Sequence, residues 1–453
     1  MSKMTNMPIK TFLTEGFWMH SIKTGIEGSK ALEGDHAFDA VIVGGGFTGL
    51  SSAIALAERG YSVAIVEKGL VSAGASGFNS GQVGIQLGMN PRFTLKYLGL
   101  ERTKQYAATL VQAITNVTTM VERSGHDCNY RANGNLTTGV HESQRRIVED
   151  TFQACTEAGL PVKMLTALEL EDMGIPPFVK NAFHELIGGT IQPAKYAYAL
   201  ASIATSLGVT VFENSPITKI TPGHKVCVES AKGSVKASMC VLATNGYTAE
   251  LGFLKSAYIP YSVSVLVTER LTPKQRARLD WRNEEGLHTP HKMIENIRLT
   301  PDGRILIGTK RAQLGYGTRH PNPQNPQVFQ ALTQVLRDRF PELPDISPEY
   351  GWTGRIAIAS DTIPFFTKVK SQENIVFGGG YGGHGIAMAS YAGNTLARML
   401  CDEDTSDMSV FIDRKRPPLP PEPLRWLIGH SLAAGLKAGD NKIDSLARME
   451  IIS

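Results

Sequence analysis

Three glycines spaced Gly44-x-Gly46-x-x-Gly49 stand between a short apolar run, Ala40–Val43, and a helical pattern, and an acid, Glu67, closes the next apolar run about twenty residues on. The chemistry of that spacing is dinucleotide binding. Gly44 permits a tight turn, Gly46 lets the backbone approach a pyrophosphate with no Cβ in the way, and Gly49 lets helix and strand pack closely. The residues that follow, among them Phe47 and Thr48, open a helix whose unpaired N–H groups and partial positive charge suit phosphates. Glu67, with Lys68 beside it, can accept ribose hydroxyls. Nicotinamide and flavin dinucleotides share the adenylate half, so the motif alone leaves the two open.

A second glycine cluster, Gly378-Gly379-Gly380-Tyr381-Gly382-Gly383-His384-Gly385, follows the apolar run Ile375-Val376-Phe377. It contains another formal GxGxxG. After its helix, however, the chain passes straight to Cys401-Asp402-Glu403-Asp404, with no apolar strand to present an acid to a ribose. The cluster therefore calls for a different use of a glycine-cushioned helix start.

The elements that position these residues follow from periodicity. Ala40–Val43 reads as a fully buried parallel strand, and Leu50, Ile54 and Ala57 give the helix beginning near Thr48 an apolar face, with Gly60 as its stop. Tyr61–Val66 is the second strand, completing one βαβ unit. Long helical patterns run from residue 91 through about residue 180, then a helix at Tyr196–Leu207 and strands at Val209–Phe212 and Val241–Ala243. Alternation at Tyr261–Thr268 and Met293–Gly308 predicts antiparallel strands. A strand–glycine–helix unit spans Asn374–Leu400, and the Pro-rich linker Pro417–Pro423 leads to a terminal helix with Ile428, Leu432 and Leu436 on one face. That face reads as core or subunit packing, with peripheral membrane attachment as the rarer use.

At 453 residues the chain exceeds what one core usually supports, so two interleaved domains, or one large domain with an attached cap, are expected. A net charge of +4 with dispersed Lys and Arg gives no basis for a nucleic-acid partner. The five cysteines are far apart and form no cluster of metal-ligand spacing, so reduced structural thiols and no metal are expected. The N-terminus lacks a basic region followed by an apolar one, and no apolar run reaches membrane-spanning length, so the expected location is cytoplasmic. No nucleophile elbow, HExxH or GxxxxGK[ST] occurs, which leaves hydrolase and phosphoryl-transfer chemistry unsupported.

An ordered set of motifs now matches a known family. Asp39–Gly60, then Gly74-Ala75-Ser76-Gly77-Phe78-Asn79-Ser80-Gly81-Gln82, then Leu242-Ala243-Thr244-Asn245-Gly246, then Gly351-Trp352-Thr353-Gly354-Arg355 with Asp361 and Pro364, and finally Gly378–Leu400 together resemble the D-amino-acid oxidase, glycine oxidase and sarcosine oxidase family, most closely its γ-glutamylputrescine oxidoreductase branch. The resemblance spans roughly residues 38 to 413. It implies an α/β fold (α+β overall): a Rossmann-like FAD-binding domain with an inserted antiparallel-sheet substrate domain. The expected limits are an N-terminal arm over 1–37, FAD-binding segments 38–90, 185–250 and 348–413, substrate-binding segments 91–184 and 251–347, and a C-terminal linker and helix over 414–453.

The resemblance also implies that Gly74 to Gln82 runs beside the flavin, with Thr244, Asn245, Gly246, Gly354, Gly380 and Gly382 around it. Gly383, His384, Gly385 and Ile386 would then open a helix toward the N1–C2=O edge. That assignment suits physics, because reduced flavin is anionic at that edge and a helix N-terminus favours anions. Phe78 and Ser80 depart from the branch, which usually carries Arg and Gly there, leaving the substrate of that branch in question and admitting a flavin-binding subunit without catalysis. No Cys or His lies between Gly69 and Asn90 or in Pro348–Gly351, so non-covalent FAD is expected.

The chemistry so implied is oxidation of a small amine or amino acid, with oxygen, or alternatively a quinone or carrier, as the electron acceptor. For catalysis, His384 could tune flavin, accept an amine proton or cap its helix. Arg355 could anchor a carboxylate or be an exposed strand-end arginine, and Tyr261 and Tyr381 could wall the substrate pocket. Glu295 and Arg298 fall on opposite faces of a strand and read as solvated; Lys310 and Arg311 read as a basic surface turn, or as a lure for oxygen or an acidic substrate. An oligomer is compatible with all of this.

Overall fold

The computed structural model describes the chain except residues 1–9, 13–15, 23–25, 27, 87, 89–90, 312, 318, 320 and 453. Two large sheets organise it. In the eight-stranded sheet, Gly34–Val43 lies between Gly233–Leu242 and Val63–Val66, with Thr210–Phe212 beyond, all parallel. Gln372–Gly379 also joins Gly233–Leu242 in parallel, and Phe365–Val369 and the hairpin Ile217–Thr221/Val226–Ser230 add antiparallel edges. Both faces of the central strands are covered, which is why Ala40–Val43 and Val63–Val66 are uninterrupted apolar runs.

Three helices cover one face: Phe47–Ala57, Pro193–Ser206 and Ile386–Leu400. The first and third cross so closely that a Cβ on Gly393 would sit 2.1 Å from the carbonyl carbon of Ser51. The packed faces of these helices are rich in Ala, Gly and Ser, and that smallness sets the approach.

The ten-stranded sheet runs, in order, Lys10–Phe12, Pro348–Ala359, Tyr258–Thr268, Ile305–Thr309, Glu295–Leu299, Gly286–His288, Asn135–Gly139, Asn181–Glu185 and Val162–Met164, with Gln313–Leu314 on the side. Two sequence expectations are corrected here. The stretch from 91 to about 180 is not continuously helical: helices Pro91–Leu98, Leu100–Ser124, Arg145–Glu157 and Ala167–Asp172 alternate with strands Asn135–Gly139 and Val162–Met164. Those strands exist because they pair with Asn181–Glu185, and the first also with Gly286–His288, about 150 residues away, so no local pattern announces them. Pro348–Ala359, grouped by sequence with the nucleotide segments, pairs along its length with Tyr258–Thr268 in this second sheet.

The sheet's two faces differ in chemistry. One carries Leu136, Leu287, Ile297, Leu299 and Ile307 into a core closed by helix Pro326–Arg339. Glu295 shares that face. It is fully buried, not solvated, and its carboxylate takes Arg339 at 2.9 Å and Lys310 at 2.6 Å, while Asp444 of helix Leu424–Ile452 binds the same two cations. Lys310 is thus a half-buried member of an ion-pair network, not part of a basic surface turn. His291 joins Glu295 and Asp444 to bring three potential metal ligands within 4.8 Å, but Lys310 and Arg339 already neutralise the two carboxylates.

The terminal helix is therefore docked by charge in its second half. Ile428 and Leu432, read from sequence as core or subunit packing, are 50% and 59% exposed and so do not pack into this chain's core.

Candidate active site

A cavity of about 370 Å³ opens at the carboxyl ends of the parallel strands, where open α/β sheets place their ligands. Its lining includes Gly44, Gly46, Phe47 and Thr48 from the first glycine turn and Glu67 and Lys68 from the next strand end. Gly74, Ala75, Ser76, Asn79, Ser80 and Gln82 come from the following loop. Thr244, Asn245 and Gly246 come from the end of Gly233–Leu242, and Tyr381, Gly383, Gly385 and Ile386 from the second glycine cluster. Residues placed together by sequence spacing and residues placed together only by folding thus meet in one space.

The nucleotide end is built for an anion. Helix Phe47–Ala57 begins at Gly46, which offers no side-chain cap; Ser76 Oγ accepts from the Phe47 N–H at 3.0 Å, and the rest of the first turn is left for a ligand. Gly49 is obligatory, because a Cβ there would lie 1.9 Å from the carbonyl oxygen of Gly44. Glu67 accepts hydrogen bonds from the backbone N–H of Gly45 at 2.7 Å and of Gly69 at 3.0 Å, which fixes its carboxylate while leaving each oxygen able to accept more. Burial raises its pKa, and the two N–H donors oppose that. Lys68 lies 3.6 Å over the ring of Tyr247, and burial lowers its pKa.

Arg355 is not at a strand end. It sits inside Pro348–Ala359, bonds Glu250 at 3.1 Å and stacks on Tyr247 at 4.8 Å, joining Lys68 at the nucleotide end of the cavity.

The loop from Gly74 to Gln82 is clamped from both sides. Trp18 Nε1 donates to the carbonyl of Asn79 at 2.8 Å and Trp352 Nε1 to that of Phe78 at 3.0 Å. Asn79 ties the loop internally through Ser76 and Gly81. Arg298, expected on the surface, is buried under it and donates to the carbonyls of Gly81 at 2.7 Å, Ile191 at 2.8 Å and Ser80 at 3.3 Å. Burial pulls this guanidinium down to about 9. Gly354 meets the loop too, since a Cβ there would lie 2.9 Å from Cβ of Phe78.

At the opposite wall, helix Ile386–Leu400 also starts without a side-chain cap and aims its N-terminus at the cavity. The preceding turn needs Gly382 and Gly383, whose φ values are +64° and +90°. Asn245 supports it by accepting from the backbone N–H of Gly380 at 3.1 Å. Tyr381 is buried and shares a 2.7 Å hydroxyl contact with Thr48, and burial raises its pKa. His384 stands half-buried at the helix start, and burial, with His288 nearby, lowers its pKa to about 4. Tyr261 is half-buried in Tyr258–Thr268 and lies outside the cavity lining.

Shape and chemistry therefore fit an FAD: a phosphate cradle with a ribose acceptor at one end and an uncapped helix start at the other. The family described as FAD dependent oxidoreductase (DAO) matches residues 39–399. The chain belongs to that family. Its cofactor is FAD, and it is an oxidoreductase. Among curated relatives, it is 28% identical over 385 residues to the γ-glutamylputrescine oxidoreductase of Escherichia coli (strain K12), covering 84% of this chain and 88% of that one. It is 24% identical to the glycine oxidase of Geobacillus kaustophilus (strain HTA426), over 83% of this chain and 96% of that one. The crystal structure of glycine oxidase from Geobacillus kaustophilus superposes with a TM-score of 0.70 at 20% identity, over 84% of this chain and all of that one. An L-amino acid deaminase from Proteus vulgaris gives 0.66 at 20% identity, over 88% and 97%. Among the described residues no helix is long and apolar enough to cross a membrane.

Sequence reasoning missed Trp18, Arg298, Tyr247 and Glu250 as parts of this site. Only Trp18 carried a signal, an aromatic pair with Phe17 in an otherwise irregular arm. Glu185 and His288, buried at 1% and 6% exposure on the polar face of the ten-stranded sheet, were missed as well.

Proposed function

We propose that the chain oxidises a small primary or secondary amine or amino acid, giving an imine that water hydrolyses, with oxygen as the electron acceptor. The observation that carries this reading is the uncapped start of Ile386–Leu400, which opens on the same cavity as the nucleotide cradle. FAD, when bound, supplies the hydride acceptor. The chain's residues position and desolvate. Gln82 and Tyr381 line the cavity, Arg298 and the two tryptophans fix the loop that carries Gln82, and the helix start favours negative charge opposite it.

A neutral His384 suits an amine substrate, since hydride leaves only from a carbon next to an uncharged nitrogen. Arg355, Lys68 and Glu67 serve the nucleotide in this proposal, and Tyr261 serves the substrate-domain sheet. The FAD is non-covalent: the five cysteines lie away from the cavity lining. The names of relatives acting on glutamylputrescine and glycine support the substrate class.

Anaerobic mixing with a panel of amines and amino acids tests the proposal. Bleaching of the flavin by at least one, followed by peroxide on admitting air, is the expected result. Bleaching without peroxide would move the acceptor to a quinone or carrier, and no bleaching by any member would overturn the amine reading.

A further inference from the structure

The terminal helix Leu424–Ile452 is held to the body along one side. Just before it Glu422 accepts the backbone N–H of Gly317 at 3.0 Å, and Gly429 lies so near Leu314 that a Cβ there would sit 2.3 Å from its Cδ2. Further on, Asp440 accepts the backbone N–H groups of Lys292 and Met293, both at 2.9 Å. Asp444 binds Lys310 and Arg339, and Ala447 is buried. At about 100° per residue Gly429, Asp440, Asp444 and Ala447 share one side of the helix, so the opposite side is fixed outward.

That outward side is apolar over the first half of the helix. Leu424, Leu427, Ile428 and Leu432 fall within an arc of about 140° opposite the anchored positions, and each is at least half exposed. Ser431, Gly435, Ala438 and Gly439 continue the same arc with small, exposed residues. Tyr316, next to the Gly317 that Glu422 holds, adds an exposed aromatic ring at the helix start. One apolar side chain on a surface needs no partner, but four on one stripe mark a contact face.

Charge and area select the occupant. From Pro423 to Gly439 the sequence has no acid. Glu422 before this stretch is engaged with Arg425 at 2.7 Å and with Gly317, and Asp440 after it is buried against the body. Lys442 is exposed on the apolar arc and Lys437 to one side of it. A second copy of the chain would set these lysines against their like. It would also cover a strip about 24 Å long and about 10 Å wide, roughly 250 Å² per partner, where a stable dimer buries about 800 Å². A lipid surface demands less area, because apolar side chains sink to the headgroup–acyl boundary while lysine stems reach the headgroups. Among the described residues no helix can cross a membrane, so the helix would lie in the plane of the surface.

We propose that the outward side of Leu424–Gly439 docks the protein on an anionic membrane surface. Leu424, Leu427, Ile428 and Leu432 enter the headgroup–acyl boundary, and Lys437 and Lys442 meet the negative headgroups. No residue of this face lines the cavity, so the inference stands apart from the amine reading.

The test sediments FAD-loaded full-length protein with vesicles, either of phosphatidylcholine alone or of phosphatidylcholine and phosphatidylglycerol in roughly equal parts. The wild type is expected to bind the mixed vesicles at low salt, to bind neutral vesicles at least about tenfold more weakly, and to come off as salt is raised. The double substitution Ile428→Glu with Leu432→Glu should weaken binding to the mixed vesicles by more than about tenfold while the protein stays yellow and monomeric. Lys437→Ala and Lys442→Ala should each weaken it about fivefold. If the double variant loses its flavin, the two lysine variants carry the test. No sedimentation with the mixed vesicles would overturn the proposal, as would sedimentation that is indifferent to phosphatidylglycerol or to these substitutions. A wild-type dimer in light scattering that the double variant splits, with no vesicle binding, would overturn it in favour of a second copy.

Discussion

The nucleotide cradle and the buried charges of the ten-stranded sheet are built by opposite means. The cradle draws Gly44 to Gln82 from one continuous stretch, and its tolerances are steric: a missing Cβ at Gly49 and a helix start at Gly46 with no side-chain cap of its own. The charged groups come from distant strands. Glu185, His288 and Arg298 lie on one face, and Glu295, Arg339 and Asp444 on the other side of the same sheet. A steric site fails when an atom is added. A charged site fails when a partner is removed, because the remaining charge stays buried.

The largest effect should come from adding atoms to the cradle. Gly49→Val places a side chain onto the Gly44 carbonyl, and the purified protein is expected to be colourless, read by absorbance before and after incubation with FAD. On the charged side, Asp444→Ala leaves Lys310 and Arg339 under-compensated and should cost about 3–5 kcal/mol in urea unfolding, against little loss for Asp150→Ala, whose pair with Arg92 is exposed on both sides. Equal losses would show that the buried network is no different from a surface pair.

Acid should act on the same network. Burial alone would raise the Glu295 carboxyl, but Arg339, His291 and Lys310 outweigh it and hold it at about 2. A depressed folded-state value means that the stabilisation is complete above the ordinary carboxylate range and is lost as pH falls from about 4 toward about 2. Thermal unfolding across that range should lose on the order of 3 kcal/mol in wild type, and less in Glu295→Gln measured against its own neutral-pH value.

Arg298→Met tests the junction of the two designs. It removes the guanidinium donor from the carbonyls of Ser80, Gly81 and Ile191, of which Gly81 keeps the backbone N–H of Ile191, and should cost about 2–3 kcal/mol, with faster loss of FAD on dilution, because the loop it holds lines the cavity. The smallest change is expected where neither design applies: Ile428→Glu and Leu432→Lys on the exposed face of the terminal helix should each shift monomer stability by less than about 0.5 kcal/mol.

The cradle was legible because its parts are neighbours in the chain and each has a steric reason to be glycine or acid. Strand, turn, helix and Glu67 could be placed from the pattern alone, and so could the second glycine helix start and its failure as a second nucleotide fold. The strands Asn135–Gly139 and Val162–Met164 could not, since their stability comes from partners far along the chain. Glu295 and Arg298 illustrate the same limit. Each looks like an ordinary surface residue in an alternating strand, and nothing in the neighbouring residues reveals that Arg339 and Asp444, or three backbone carbonyls, will meet them.

Sequence by itself thus determined the dinucleotide half of this protein, the family resemblance and the flavin, because backbone geometry at glycine and the reach of a strand-end acid are local properties. Tertiary structure alone decided which charges are buried, which helix faces are free, and that Glu185 meets His288 on the polar face of the ten-stranded sheet. Coulombic and desolvation energies depend on distance and surroundings in space, and chain order carries neither.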